Sequence, residues 1–258
     1  VRSLRKTRVV RGGFLAAALL ALAAVAPPAL AAPGQDRTVT PLSGGHLDDL
    51  SLNGTAQVVA DRDGRNRFLR LTSGSFRQAG SAWSTRQIDL TRSFTTTFVV
   101  NMHRHGKPGA DGIAFVVQGT GPRALGGWGG GLGYRGIRQS VAIEFDTYRN
   151  GQNDPAGEHL AVTRAGNPDR HLATVPAPIP LYGRPFQVRL SYDAATTHLT
   201  VHVRARSKGA TERVAFDRPL DLAKESGVTS AWIGFTGSTG DITSSQDVYG
   251  WTIDVPSA

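Results

Sequence analysis

Residues 140–162 read S-V-A-I-E-F-D-T-Y-R-N-G-Q-N-D-P-A-G-E-H-L-A-V, and this stretch decides the fold. Its first seven residues alternate: Val141, Ile143 and Phe145 fall on one side of an extended chain, Glu144 and Asp146 on the other. The two carboxylates are then one pleat repeat apart, roughly 7 Å. Carboxylates brought close and partly desolvated are costly, so they stay in water, share a proton or hold a cation. The residues that follow bear on the choice. Asn150, Asp154 and His159 come after a turn that can fold back over the strand end. Carboxylates, an amide and a backbone carbonyl are hard oxygen donors suited to calcium, whereas one imidazole beside carboxylates suits a transition ion such as manganese. A paired site, in which two aspartates bridge a calcium and a transition ion, uses all these residue types together.

Outward from this stretch the same period of two recurs. Phe94, Thr96, Phe98 and Val100 share a face, as do Phe186, Val188, Leu190 and Tyr192, and then Leu199, Val201 and Val203; this is the pattern of half-buried strands. Turn clusters at 61–66, 106–109 and 151–157 separate the runs, and no long helical period intervenes. Many short strands without crossover helices predict an all-β, antiparallel jelly-roll β-sandwich. The glycine-rich run Leu125 to Gly136 is the only low-complexity stretch beyond the N-terminus and reads as a loop that closely approaches something.

At the N-terminus, Arg2, Arg5, Lys6, Arg8 and Arg11 precede an apolar run from Phe14 to Ala26, and Ala29-Leu30-Ala31 follows. This is the form of a cleaved secretory signal peptide over residues 1–31, too short for the ~20 apolar residues of a membrane span. Secretion is therefore expected, with no membrane span after cleavage. Val1 in place of Met reads as a literally translated alternative start codon, which points to a bacterial source. The leader holds five of the 29 Lys and Arg and none of the 20 Asp and Glu, so its loss lowers the formal net charge of +9 by five. No dense basic run interleaved with aromatics remains, which argues against nucleic acid as a partner. With no Cys in the chain, disulfide staples and thiolate chemistry are excluded. The remaining residues suffice for one large β domain with its own core.

The acidic segment resembles the metal-binding segment of the legume lectins and their L-type relatives, E-F-D-T-(aromatic)-x-N followed by D-P-x-x-x-H, at Glu144 to Asn150 and again at Asp154 to His159. The resemblance implies a concanavalin-like lectin fold over residues 36–256. It makes Asp146 and Asp154 bridging ligands between Ca2+ and Mn2+ or another transition ion, with Glu144 and His159 completing the transition-metal set. Asn150 and the main-chain carbonyl of Tyr148 would complete the calcium shell. Such metals do no chemistry; they fix a loop that meets the sugar. Ala110-Asp111-Gly112 resembles the family's A-D-G, where an Ala-Asp cis peptide is expected and the aspartate accepts sugar hydroxyls. Gly129 to Gly133 resembles the loop whose backbone N–H binds a sugar oxygen. Ile233 to Thr236 through Trp251 resembles the family's penultimate strand, specificity loop and closing strand. The implied function is non-catalytic, metal-dependent binding of glycans or polysaccharide, with mannose/glucose-type hexoses among the expected ligands. Asp111, Gly130 or Gly131, Tyr148 and Asn150 would form the carbohydrate site. A homo-oligomer would supply avidity.

Two departures concern specificity. The glycine loop lacks one residue before Leu132, so the register leaves both Gly130 and Gly131 open as the sugar-facing amide, and the loop 237–246 matches no specificity class. One rival is a glycoside hydrolase on a related jelly roll. The E-x-D-x-x-E form of sandwich glucanases, however, ends here at Arg149, and a retaining mechanism needs a second carboxylate about 5 to 5.5 Å from the first. A second rival is a structural or adhesive surface domain that has lost its sugar affinity; Asp111, Asn150 and the glycine loop speak against it. The pairs His103/His105 and His198/His202 read as solvated strand faces. Asn53-Gly54-Thr55 has the form of a glycosylation sequon but reads as a turn.

Overall fold

The computed structural model describes residues 49–103 and 108–256. The expected signal peptide, residues 36–48 of the expected domain and His105 lie outside the described residues. No helix among the described residues is long and apolar enough to cross a membrane. Strands are numbered in chain order. One sheet runs β1 (Leu50–Gly54), β4 (Ala79–Ser84), β14 (Ser230–Ser238), β7 (Gly112–Gln118), β8 (Ser140–Asp146), β9 (His159–Arg164) and β10 (His171–Pro176), with β5 (Ile88–Asp89) also paired to β14. The other runs β13 (Arg213–Pro219), β12 (His198–Ala205), β11 (Phe186–Asp193), β6 (Phe94–His103), β15 (Ser245–Asp254), β3 (Arg67–Ser73) and β2 (Gln57–Ala60). Every strand-to-strand pairing is antiparallel. The result is the expected jelly-roll sandwich.

The two sheets are buried differently, and the difference positions the site. Along β6, buried and half-buried residues alternate over all ten positions, so one face meets the core and the other meets water. By contrast β7 and β8 are buried at every residue. Val141, Ile143 and Phe145 point into the main core between the sheets. There Phe98 of the second sheet meets Phe115, Phe145 and Phe235 of the first at ring separations of 5.7, 6.0 and 4.8 Å. Those contacts hold β8 with its apolar side inward, which turns Glu144 and Asp146 to the opposite face.

That opposite face is roofed by a small second core of Trp83, Ala114, Val116, Leu132, Tyr134 and Ala142. The roof is the glycine-rich segment, pinned to β4 where the Trp83 indole N–H and the Ser81 hydroxyl both donate to the Ala124 carbonyl, at 2.8 and 2.7 Å. Gly133 sits at φ +72°, and a Cβ there would lie 2.9 Å from the Gly237 carbonyl oxygen, so only glycine lets the loop lie this close to β14. In keeping with the absence of a long helical period, the α-helix that forms, Leu222–Ser226, is short, capped by the Asp221 carboxylate accepting from the Lys224 N–H at 3.0 Å. Asn53 lies at the end of β1, with its amide donating to Ser81 Oγ at 3.1 Å and the Pro122 carbonyl at 3.0 Å.

Candidate functional site

Register builds the site. Across three adjacent strands, Gly112 of β7 pairs with Asp146 of β8, and Asp146 pairs with His159 of β9. One row thus carries Asp111 and Gly112, then Asp146, then His159. Glu144, one pleat back, is flanked by Ala114 and Ala161, whose small side chains leave room above the carboxylate. Tyr134 of the roof fills it, its hydroxyl donating to Glu144 Oε1 and pairing with Thr163 Oγ1 at 2.8 Å.

The turn after β8 folds back as its composition predicts. The Tyr148 N–H donates to Asp146 Oδ1 and the Asn150 N–H to Asp154 Oδ2, both at 2.7 Å. Asp154 Oδ1 lies 3.9 Å from His159 Nε2. The His159 Nδ1–H donates to the Gly157 carbonyl at 3.2 Å, leaving Nε2 as the lone-pair nitrogen turned inward. Asp154 and His159 thus stand side by side, and a residue that the sequence pattern did not single out joins them. His171 on the edge strand β10 places Nε2 at 3.5 Å from Asp154 Oδ1 and 3.9 Å from Glu144 Oε2. Ligating atoms of Asp154, His159 and His171 all lie within 4.8 Å of one another.

A second group lies beside the first. The peptide Ala110–Asp111 is cis. Asp111 is buried, its N–H donates to the Ser238 carbonyl at 3.0 Å, and its Oδ1 accepts from the Asn150 side-chain amide at 3.0 Å. Gly130 abuts Asn150: a Cβ there would meet Asn150 Cγ at 2.7 Å. The Gly131 N–H is spent on the Trp128 carbonyl at 3.2 Å, whereas among the described residues the Gly130 N–H makes no such backbone hydrogen bond. Tyr148 is half-buried and Asn150 exposed. Trp128, half-exposed in the middle of the glycine run, has the Arg77 guanidinium 5.3 Å from its ring centre.

The electrostatics separate this cluster from ordinary buried acids. Burial pushes the Glu144 carboxyl up to about 8, against the Tyr134 hydrogen bond and with Asp154 adding to the rise. Burial, then Glu144, raises Asp146 well above the usual range. Burial lifts Asp111 to about 6 against the bond from Asn150, and burial lowers His159. Asp247 is equally buried but answered by Arg70 at 2.7 Å and His103 at 2.9 Å. Among the described residues no Lys or Arg makes an ion pair with Glu144, Asp146 or Asp154. The buried atoms Asp111 Oδ2, His159 Nε2 and His171 Nε2 are also without hydrogen-bond partners. Uncompensated oxygens and lone-pair nitrogens facing one another are the donor set a divalent cation satisfies, so the residues fit bound metal. The other histidine pairs divide between separate partners, His103 on Asp247, His198 on Asp217 at 2.6 Å and His202 beside Arg189 at 2.9 Å.

The sequence profile of the legume lectin beta-barrel domain matches residues 45–250. The chain belongs to the legume lectin family. Among legume-lectin relatives, bark agglutinin I polypeptide B of Robinia pseudoacacia is 28% identical over 214 residues, covering 78% of this chain and 71% of that one. A protein of Arabidopsis thaliana named as an L-type lectin-domain containing receptor kinase is 30% identical over 181 residues, covering 63% of this chain. The chain spans only 26% of that relative's length. The solved lectin from Bauhinia forficata, in complex with GalNAc, superposes with a TM-score of 0.71 at 21% identity, over 86% of this chain and 99% of that one; at this identity the likeness is one of fold.

Proposed function

We propose that this legume-lectin domain, residues 36–256, is a non-catalytic carbohydrate-binding module whose sugar site is shaped by bound divalent ions. The observation that carries the reading is the meeting of Asp111, Asn150 and Gly130, from three separate loops, beside the uncompensated carboxylate–imidazole cluster. Asp146 and Asp154 would bridge two ions. Glu144 and His159 would complete a manganese or other transition-metal set, and Asn150 with the Tyr148 main-chain carbonyl a calcium set. Bound there, the ions supply positive charge that offsets the buried carboxylates and ties residues 147–158 to the end of β8.

The protein's own groups then recognise the ligand. The Asp111 carboxylate accepts from sugar hydroxyls and the Asn150 amide donates. The Gly130 N–H, rather than that of Gly131, donates to a third oxygen, and the Tyr148 ring offers an apolar surface to the pyranose face. Each such bond replaces one to water at a net ~0.5 to 1.5 kcal/mol, so a single hexose is held weakly. Useful retention then comes from several sites meeting a multivalent glycan or polysaccharide, through oligomers or a crowded surface. The Bauhinia forficata lectin was solved with GalNAc, so galactose-type sugars join the mannose/glucose type among the ligands to be tested. Secretion through the N-terminal leader is part of this proposal.

A glycan array read with calcium and manganese, and again in excess EDTA, tests the function. Binding that disappears with chelator and returns with the ions is expected; full binding in EDTA at equilibrium refutes the metal role. Asp111→Ala and Asn150→Ala should abolish retention while circular dichroism stays unchanged, and unaltered retention would remove these residues from the site.

A further inference from the structure

His171 has no place in the proposed set of metal ligands, and the sequence pattern gives it no role. Its surroundings do. β10 pairs with β9 with a register shift between His171 and Ala173, and a shift of this kind re-aims a side chain. The His171 side chain is 7% exposed, and its Nε2 is turned into the cluster without a hydrogen-bond partner. It stands at 3.5 and 3.9 Å from the Asp154 and Glu144 oxygens, too far for hydrogen bonds. Neighbouring ligand atoms about 2.0–2.2 Å from one ion stand roughly 3–3.5 Å from each other. Nε2 of His159, 0% exposed and also partnerless, faces the same space from β9.

We infer that His171 is a direct ligand of the transition-metal site, which thereby holds two imidazoles with the carboxylates of Glu144, Asp146 and Asp154 and takes zinc in preference to manganese. A second imidazole matters because carboxylate and water sets suit manganese, whereas imidazole suits zinc, copper, nickel and iron. The inference rests on the metal-dependent reading above and refines it: the calcium half is unchanged, and the other half becomes a nitrogen-rich zinc site. His171 also ties the edge strand β10 to the metal, so zinc binding fastens that edge to the centre of the sheet.

The test is zinc and manganese affinity, measured by competition with a chromophoric chelator on the whole protein, for the unaltered chain, His171→Ala and the remote control His198→Ala. His171→Ala should weaken zinc by about 10- to 100-fold and manganese by much less, with His198→Ala unchanged. X-ray absorption at the zinc edge on the unaltered protein needs no variant and should count two imidazoles. One imidazole at zinc, or equal zinc affinity before and after His171→Ala, overturns the inference while leaving the metal-dependent reading standing. Failure of the unaltered chain to bind any divalent ion overturns both.

Discussion

Gly130 illustrates how much a single missing methyl group decides. Its virtual Cβ falls 2.7 Å from Asn150 Cγ and 2.9 Å from Asn150 Cβ, atoms too near the backbone to swing aside. Gly130→Ala therefore displaces the Asn150 amide from Asp111, and glycan retention on a sugar column should fall about two- to tenfold for each hydrogen bond lost. Gly131→Ala, whose Cβ meets Arg135 Cβ at 3.1 Å, should cost less; equal losses would mean that the loop as a whole, not the Asn150 contact, sets the site. Tyr134 is the other decisive residue. Tyr134→Phe strips Glu144 of a buried donor and Thr163 of its hydroxyl partner, which should cost about 1–3 kcal/mol in urea unfolding of the metal-free protein. The sequence made Glu144, Asp154 and His159 legible because they lie close along the chain. Tyr134 and His171 were hidden, since what brings them to Glu144 is the roof closing over β8 and the pairing of β10 with β9.

Among the elements, β8 and the turn after it were the most readable. Alternation assigned both faces of the strand, and the Gly, Asn and Pro content marked the turn. What alternation could not give was burial on both sides. A strand with carboxylates on one face ordinarily meets water there, but here the glycine-rich segment lies on it through the packing of Trp83, Leu132 and Tyr134, a contact that no local period encodes. Among the described residues, the middle of the turn, residues 148–157, is joined to the rest of the site by a few bonds, including the Tyr148 N–H to Asp146, Asn150 Nδ2 to Asp111 Oδ1 and Asn153 Nδ2 to the Asp169 carbonyl at 2.8 Å. Hydrogen–deuterium exchange should accordingly rise in residues 147–158 when EDTA strips the ions, while β6 and β11 in the main core keep their protection. Uniform exchange with and without chelator would show that the ions do not order this turn.

For the molecule as a whole, the sandwich was legible from its strands, and the partition of those strands between two sheets was not. Neighbours in sequence are often not neighbours in space: β14 lies between β4 and β7, and β15 between β6 and β3. Pairing of that kind is settled by packing of the core. Ion binding to the folded state alone stabilises it by mass action, about 2.7 kcal/mol when free ion exceeds Kd 100-fold. The melting temperature should thus climb with the logarithm of added calcium and zinc, and a melting temperature indifferent to both would contradict a site built on folding. The two cores have a further consequence. On the proposed reading, recognition hangs from the outer one, through the glycine segment and the loop between β14 and β15, while the inner one holds the sandwich closed. Changes in those outer loops can redirect which glycan is chosen over evolutionary time without the scaffold having to solve its folding problem again.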